Sequence, residues 1–143
     1  MRQARGVQIR RLESGDLELL ARAVETFTGA QAPAPDLFLE QPRTHAFVAL
    51  DGEDVIGCCY GYELLRPEGR WMMFLKQIDV LEQRRREGVG RELLDAFVAL
   101  ARSKGHRRMW LYTDAGDRAA RGLYEGAGGA PGDAKVGYWW AFE

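Results

Sequence analysis

Cysteine and histidine are scarce in this chain, two of each in 143 residues, and the scarcity excludes several classes of protein. Cys58 and Cys59 are adjacent, so they make no ordinary disulfide framework. Alternation along a strand would put them on opposite faces as reduced small residues. His45 and His106 have no metal-ligand spacing between them, and no metal is expected. No apolar run approaches the roughly 20 residues that span a bilayer. The opening MRQARGVQIRRLES has no apolar signal-peptide core. No membrane partner is therefore expected, and the cytoplasm is the expected compartment. A formal net charge of −1 leaves no global basic field for nucleic acid. Seventeen glycines are many, but they are scattered and show no repeat period.

What is present is a single-domain pattern over residues 1–143. Val7 to Leu12 alternates as a first strand. Ser14 or Asp16 caps a helix carried by Leu17, Leu19, Leu20, Ala23, Val24 and Phe27. Residues 28–43 hold three of the five prolines and read as a loop, with one short helical turn at Asp36–Glu40. His45–Leu50, Val55–Leu65 and Trp71–Leu81 follow as three strands joined by the tight turns Asp51–Asp54 and Arg66–Gly69. A helix over 88–104, a strand at Arg108–Thr113, a helix over 118–127 and a last strand near Val136–Phe142 complete the chain. Antiparallel strands followed by a β-α-β unit predict an α/β, or mixed α+β, fold: a central, mostly antiparallel sheet flanked by helices. In the last strand Trp139 and Trp140 would face opposite sides, one of them in the core.

The stretch from Ile78 to Lys104, IDVLEQRRREGVGRELLDAFVALARSK, organises the rest. Val89, Leu93, Leu94, Phe97, Leu100 and Ala101 recur at helical spacing. Gly88 and Gly90 stand where that helix begins, and Gly105 where it ends. The first N–H groups of a helix have no internal partner, and the helix dipole makes that end positive. A phosphate placed there accepts several backbone hydrogen bonds, and glycine permits its close approach. Arg84, Arg85 and Arg86 add charge around the same point. The alternative is a plain strand-to-helix turn with a solvated charge run.

Arg85-Arg86-Glu87-Gly88-Val89-Gly90 resembles the R/Q-x-x-G-x-G/A signature of the GCN5-related N-acetyltransferases. Asp117-Arg118-Ala119-Ala120-Arg121-Gly122-Leu123-Tyr124-Glu125-Gly126-Ala127-Gly128 is similar to that family's N-x-x-A-x-x-L-Y-x-x-x-G, with Asp117 where Asn is usual. The resemblance implies the acyl-CoA N-acyltransferase fold, in which two neighbouring strands splay apart. It implies a coenzyme site at Arg85, Arg86, Glu87, Gly88, Val89, Gly90 and Arg91, with Asp117 and Ala120 from the second motif. Tyr124 would face the sulfur and protonate it. Ile78-Asp79-Val80, Leu111-Tyr112-Thr113-Asp114 and Ala119-Ala120-Arg121-Gly122-Leu123-Tyr124 look most like the short, type I aminoglycoside 3-N-acetyltransferases, and a homodimer fits that likeness.

Acetyl transfer from acetyl-CoA to an amine needs a held coenzyme, a deprotonated amine, donors for the oxyanion and an acid for the thiolate. Backbone groups at Ile78 and Val80 can pair with the pantetheine amides as an added strand, and an N–H near Val80 can meet the thioester oxygen. Asp79 lies in an otherwise apolar strand and points opposite to Ile78 and Val80. That placement is costly unless the carboxylate is paired or faces a cleft. Asp79 is thus a candidate base or substrate ligand, or else a salt-bridge partner of an arginine. Glu82, Asp114, Asp117, Glu125 and Glu143, with Asp36 and Glu40, are candidates for an acidic cleft that takes a cationic amine, or are scattered solvated carboxylates. The leading expectation is acetylation of an aminoglycoside by direct transfer. Acetylation of protein N-termini or lysines, and a non-catalytic acyl-CoA-binding module, are the alternatives.

Overall fold

The computed structural model describes residues 6–32, 34–133 and 135–142. They fall into two compact units, one ending at Tyr112 and the other beginning at Thr113. The first holds β1 (Val7–Arg11), α1 (Leu17–Thr28), α2 (Pro35–Glu40), β2 (Thr44–Asp51), β3 (Asp54–Leu65), β4 (Trp71–Val80), a 3-10 turn (Glu82–Arg84), α3 (Val89–Ser103) and β5 (Met109–Trp110). The second holds α4 (Arg118–Gly126).

The sheet runs β1-β2-β3-β4-β5, with antiparallel neighbours through β4 and β5 parallel to β4. This is the expected mixed fold, with the meander formed by two-residue and longer tight turns. α3 lies on one face. It buries Val89, Leu93, Leu94 and Phe97 with Cys59, Met73 and Leu75, each almost fully shielded from solvent. The other face carries a second core of Leu12, Ala23, Ala46, Val48, Leu50 and Val55, closed by Leu19, Leu20, Phe27, Phe38 and Leu39 from α1 and α2. Two apolar faces covered by helices explain why β2 and β3 are buried along most of their length.

One irregularity sets up everything that follows. Tyr60 pairs with Gln77 and Gly61 with Leu75, so Lys76 is an extra residue in β4. Such a bulge exchanges the two faces of a strand. Before it, Met73 and Leu75 face α3; after it, Ile78 and Val80 do, and Gln77 and Asp79 take the α1 and α2 face. Gly61 sits opposite the bulge. A Cβ there would lie 2.1 Å from the Phe74 carbonyl oxygen and 2.7 Å from Phe97 Cζ. Glycine is required because the strands and α3 close on that point.

Three expectations are corrected. Asp16 is the residue before α1, but its carboxylate accepts from the Glu13 N–H, not from the helix's first turn. The strand expected at Arg108–Thr113 shrinks to Met109–Trp110, because only Met73 and Phe74 of β4 pair with it. Residues 135–142 form no strand: alternation alone makes none without a ladder partner. Trp139 and Trp140 are both exposed there, at 83% and 73%, so neither is a core residue.

Candidate active site

The turn between β4 and α3 is shaped by two left-handed residues. Arg86 has φ 68° and Gly88 φ 86°. Arg86 is the one non-glycine residue with positive φ among the described residues, a conformation that costs about 1 kcal/mol and clusters at functional sites. Alternating left- and right-handed residues turn successive N–H groups into one concavity. Among the described residues, no backbone hydrogen bond is donated by Arg86 through Arg91; the first bond of α3 runs from Glu92 N to Gly88 O at 3.0 Å. These open donors at a helix N-terminus fit a phosphate group.

The three arginines differ. Arg84 is committed to the protein, with Nε 2.9 Å from Glu87 Oε2 and Nη1 2.8 Å from Asp51 Oδ2. Hydrogen bonds to Glu87 and Asp51 hold its guanidinium still more firmly protonated than usual. It braces the turn, whereas Arg85 and Arg86 are exposed. The Glu87 side chain is spent in the same brace, so only its backbone remains for a ligand. Arg85 Nε reaches the Val80 carbonyl oxygen at 3.4 Å.

That contact also reports the direction of the Val80 carbonyl. Leu81 N donates to Ile56 O across β3 at 2.9 Å. Backbone groups alternate along a strand, so those of Val80 and Ile78 point away from β3. On that edge β4 and β5 pair only at Met73–Met109 and Phe74–Trp110, then part. Beyond Phe74, β4 has no strand partner there among the described residues. The expected splay is therefore present within the first unit, and its exposed backbone edge is that of Ile78 and Val80. This edge leads directly into the open amides of the turn, which suits an extended ligand that ends in a diphosphate.

On the opposite face of β4, Gln77 Nε2 donates to Asp79 Oδ2 at 2.6 Å, and Tyr60 Oη donates to Gln77 Oε1 at 3.3 Å. A carboxylate accepts only, which fixes the amide of Gln77 with its NH2 toward Asp79. Asp79 is half-buried and takes part in no ion pair among the described residues. The salt bridge to arginine is replaced by a neutral amide, and Oδ1 takes no hydrogen bond among the described residues. Burial, reinforced by the Asp79 charge, pushes the neighbouring Cys58 thiol up to about 12, so it is no nucleophile.

In the second unit, Asp117 Oδ1 accepts from Ala120 N at 3.0 Å and caps α4. Asp and Asn cap equally well, which accounts for the departure from the usual Asn. Tyr124 lies on α4, and Asp114 is exposed, its carbonyl bound by Asp117 N–H. Glu82 opens the 3-10 turn, exposed. Glu143 lies outside the described residues. The residues that composition alone gave no reason to single out are Gln77 and Tyr60. Gln77 sits two positions before Asp79, which is the one signal that could have found it.

The acetyltransferase (GNAT) family model matches residues 14–128. The chain belongs to that family. The match spans the β4–α3 turn, the splayed edge and α4, and the protein is an acetyl-CoA-dependent N-acetyltransferase with an amine as acceptor. No curated protein matches the sequence. Among solved structures, the fold is similar to an aminoglycoside acetyltransferase, meta-AAC0020, from an uncultured soil metagenomic sample. That likeness has a TM-score of 0.85 at 21% identity, over 96% of this chain and 97% of the other. The fold is also similar to aminoglycoside N-acetyltransferase AAC(6')-Iy in complex with CoA (TM-score 0.77, 18% identity, 94% of each chain). A third is the ribosomal-protein-alanine N-acetyltransferase of Brucella melitensis biovar Abortus 2308 (0.73, 21%, 95% and 99%). No helix among the described residues is long and apolar enough to cross a membrane.

Proposed function

We propose that this GNAT enzyme acetylates a primary amine of an aminoglycoside, by direct transfer from acetyl-CoA with both substrates bound. The observation that carries the reading is the half-buried Asp79 carboxylate beside the open edge of β4. Acetyl-CoA brings the activated acetyl group as a thioester. The Arg86–Arg91 amides bind the diphosphate, with Arg85 and Arg86 as counter-charges. Ile78 and Val80 hold the pantetheine arm through their outward backbone groups. Asp79 receives the ammonium form of the acceptor and takes its proton, directly or through water. The Val80 N–H donates to the oxyanion. Tyr124 supplies the proton for the departing thiolate, a role that rests on its motif alone.

Aminoglycoside acetyltransferases among the solved structures of similar fold support the acceptor class. The 3-N position is the regiochemistry that the two motifs suggest. The 6'-amine is the second reading, favoured by the similarity to AAC(6')-Iy. Glu82, Asp114 and Glu143 are proposed as further acceptor ligands, Asp117 and Ala120 as coenzyme contacts, and a cytoplasmic homodimer conferring antibiotic resistance as the setting. The test is release of free CoA thiol from acetyl-CoA across an aminoglycoside panel, with the product located by NMR. Turnover with peptide amines and none with any aminoglycoside would replace this acceptor with a protein.

A further inference from the structure

The face of the sheet that carries Asp79 is lined with rings. Tyr62 stands opposite Phe74 in the β3–β4 ladder, and Phe74 opposite Trp110 in the β4–β5 pair, so the three share one face. Phe74 stacks on Trp110 with centroids 5.0 Å apart and meets Tyr112 edge-on at 5.8 Å. Tyr60 and Tyr62 meet at 6.1 Å, and Phe38 of α2 closes on both at 5.9 and 6.3 Å. These rings are not sealed into the core. Tyr60, Tyr62, Phe74 and Trp110 are half-buried, and Tyr112 is 71% exposed. Phe38 covers part of Tyr60 and Tyr62, but the wall stays partly open from Tyr62 through Phe74 to Tyr112, and a sizeable open apolar patch is a mark of an interaction site.

The wall has a charged end. Tyr60 Oη bonds to Gln77, and Gln77 to Asp79, so the rings lead straight to the carboxylate. From Phe74 to Asp79, setting aside the bulged Lys76, is four strand steps, about 13 Å. That length holds a one- or two-ring molecule. Along this run of β4 Asp79 is the single acidic side chain, so the reacting ammonium is held at that end of the wall.

We propose that the acceptor binds amine-first at Asp79 with its ring laid along Tyr60, Tyr62 and Phe74, which makes a primary amine carried on a ring a better acceptor than a linear amine or diamine. The inference rests on the acetyltransferase reading and names the shape of that site's substrate. Flat CH faces of sugars and π faces of aryl groups both suit such a wall. Gln77 holds Oδ2 and leaves Oδ1 for the ammonium, and so acts as a positioning residue.

The test compares kcat/KM for 2-phenylethylamine and glucosamine with that for n-hexylamine and 1,6-diaminohexane, in wild type and in Phe74→Leu, which keeps apolar bulk and loses the ring. A ring-to-linear ratio of about two- to tenfold is expected, since one aromatic contact of about 0.5–1.5 kcal/mol converts to a factor in that range. In Phe74→Leu the ratio is expected to fall toward one. The aryl and sugar arms tell which kind of ring is favoured. A ratio of one or below in wild type, or an unchanged ratio in the variant, overturns the proposal. If no amine at all is turned over, the acetyltransferase reading of the site fails instead. The wall is then read by saturation-transfer NMR: ring protons of 2-phenylethylamine should saturate with wild type and not with Phe74→Leu, and no saturation with wild type overturns the proposal on its own.

Discussion

His106 Nε2 lies 2.7 Å from Glu63 Oε1, which fastens the residues just past α3 to the C-terminal end of β3. The other Glu63 oxygen takes His45 Nε2 at 2.8 Å, and the carboxylate is almost wholly buried. The two histidines that looked solitary in the sequence are thus joined through one acid. Arg11 Nη2 lies 3.3 Å from His45 Nδ1, consistent with a neutral ring that donates to Glu63 and accepts from Arg11. This clasp is far along α3 from the β4–α3 turn, and its work is structural.

Acid should therefore loosen the fold. Burial lowers the pKa of His45, only partly offset by Glu63. For Glu63, burial alone would raise the pKa, but hydrogen bonds from His45 and His106 and the Lys104 charge outweigh it and leave it below the ordinary value. Both folded-state pKa values are depressed, so both contributions are complete above the unfolded values, about 6.5 and 4.3, and fade as pH falls through the folded ones. The melting temperature should decline below about pH 6.5 and more steeply below about pH 4.5. Glu63→Ala should cost about 1–3 kcal/mol at pH 7, from stranded buried donors, and the gap to wild type should narrow with acid. Parallel pH profiles of the two proteins, by calorimetry, would show the clasp contributes nothing.

Gly61 tests the bulge. Adding one methyl group there forces apart the Phe74 carbonyl, the Leu75 backbone and the Phe97 ring. Gly61→Ala should destabilise by about 3 kcal/mol or more, at the upper end of overpacking effects. It should also turn Gln77 and Asp79 out of register, so that activity falls further than the folded fraction does. Urea melts combined with activity at matched folded fraction measure both. A variant as stable as wild type would mean the strands have room that the structure denies them.

Gly88 tests the phosphate turn. At φ 86° an L-residue is strained by about 1–2 kcal/mol, so Gly88→Ala should lose that much stability and weaken coenzyme binding. Gly88→Asp adds a negative charge among the amides proposed to bind phosphate, and should abolish CoA binding in calorimetric titration while the protein still melts cooperatively. Equal CoA affinity in wild type and Gly88→Asp would move the diphosphate elsewhere.

Much of this was legible in the sequence because it is local. The period of Val89, Leu93 and Phe97, the glycine at the helix start and the meander turns are all set by neighbours in the chain, and α1 to α3 and β1 to β4 fall within a residue or two of expectation. Apart from the Asp16 cap, lost to a local bond with Glu13, the misses are long-range. The bulge at Lys76 arises only when β4 closes on Gly61, so the exchange of faces that turns Gln77 and Asp79 together toward α1 and α2 is invisible in a run of apolar letters. His45, Glu63 and His106 meet through three separate elements. The short β5 and the missing last strand are matters of ladder partners, which alternation does not supply. Arg84 shows the same limit at the site: three adjacent arginines look equivalent until Asp51, from a distant turn, claims one.

The division of labour between Asp79 and Tyr124 is the last prediction, and it separates two kinds of proton transfer. Asp79→Asn keeps the hydrogen bond to Gln77 within reach but removes the charge proposed to draw the ammonium and take its proton. It should raise the acceptor KM and lower kcat together. Under the proposed mechanism, Tyr124→Phe removes only a proton that is needed after the amine has attacked. It should lower kcat by about ten- to a thousand-fold, with acceptor KM and CoA affinity nearly unchanged. Steady-state kinetics with a single aminoglycoside, beside CoA titration of each variant, reads all four quantities. Full activity in Tyr124→Phe would make that tyrosine structural and leave the thiolate to be protonated by solvent. A pure kcat effect in Asp79→Asn, with KM untouched, would assign the carboxylate to proton transfer and leave the holding of the amine to other groups.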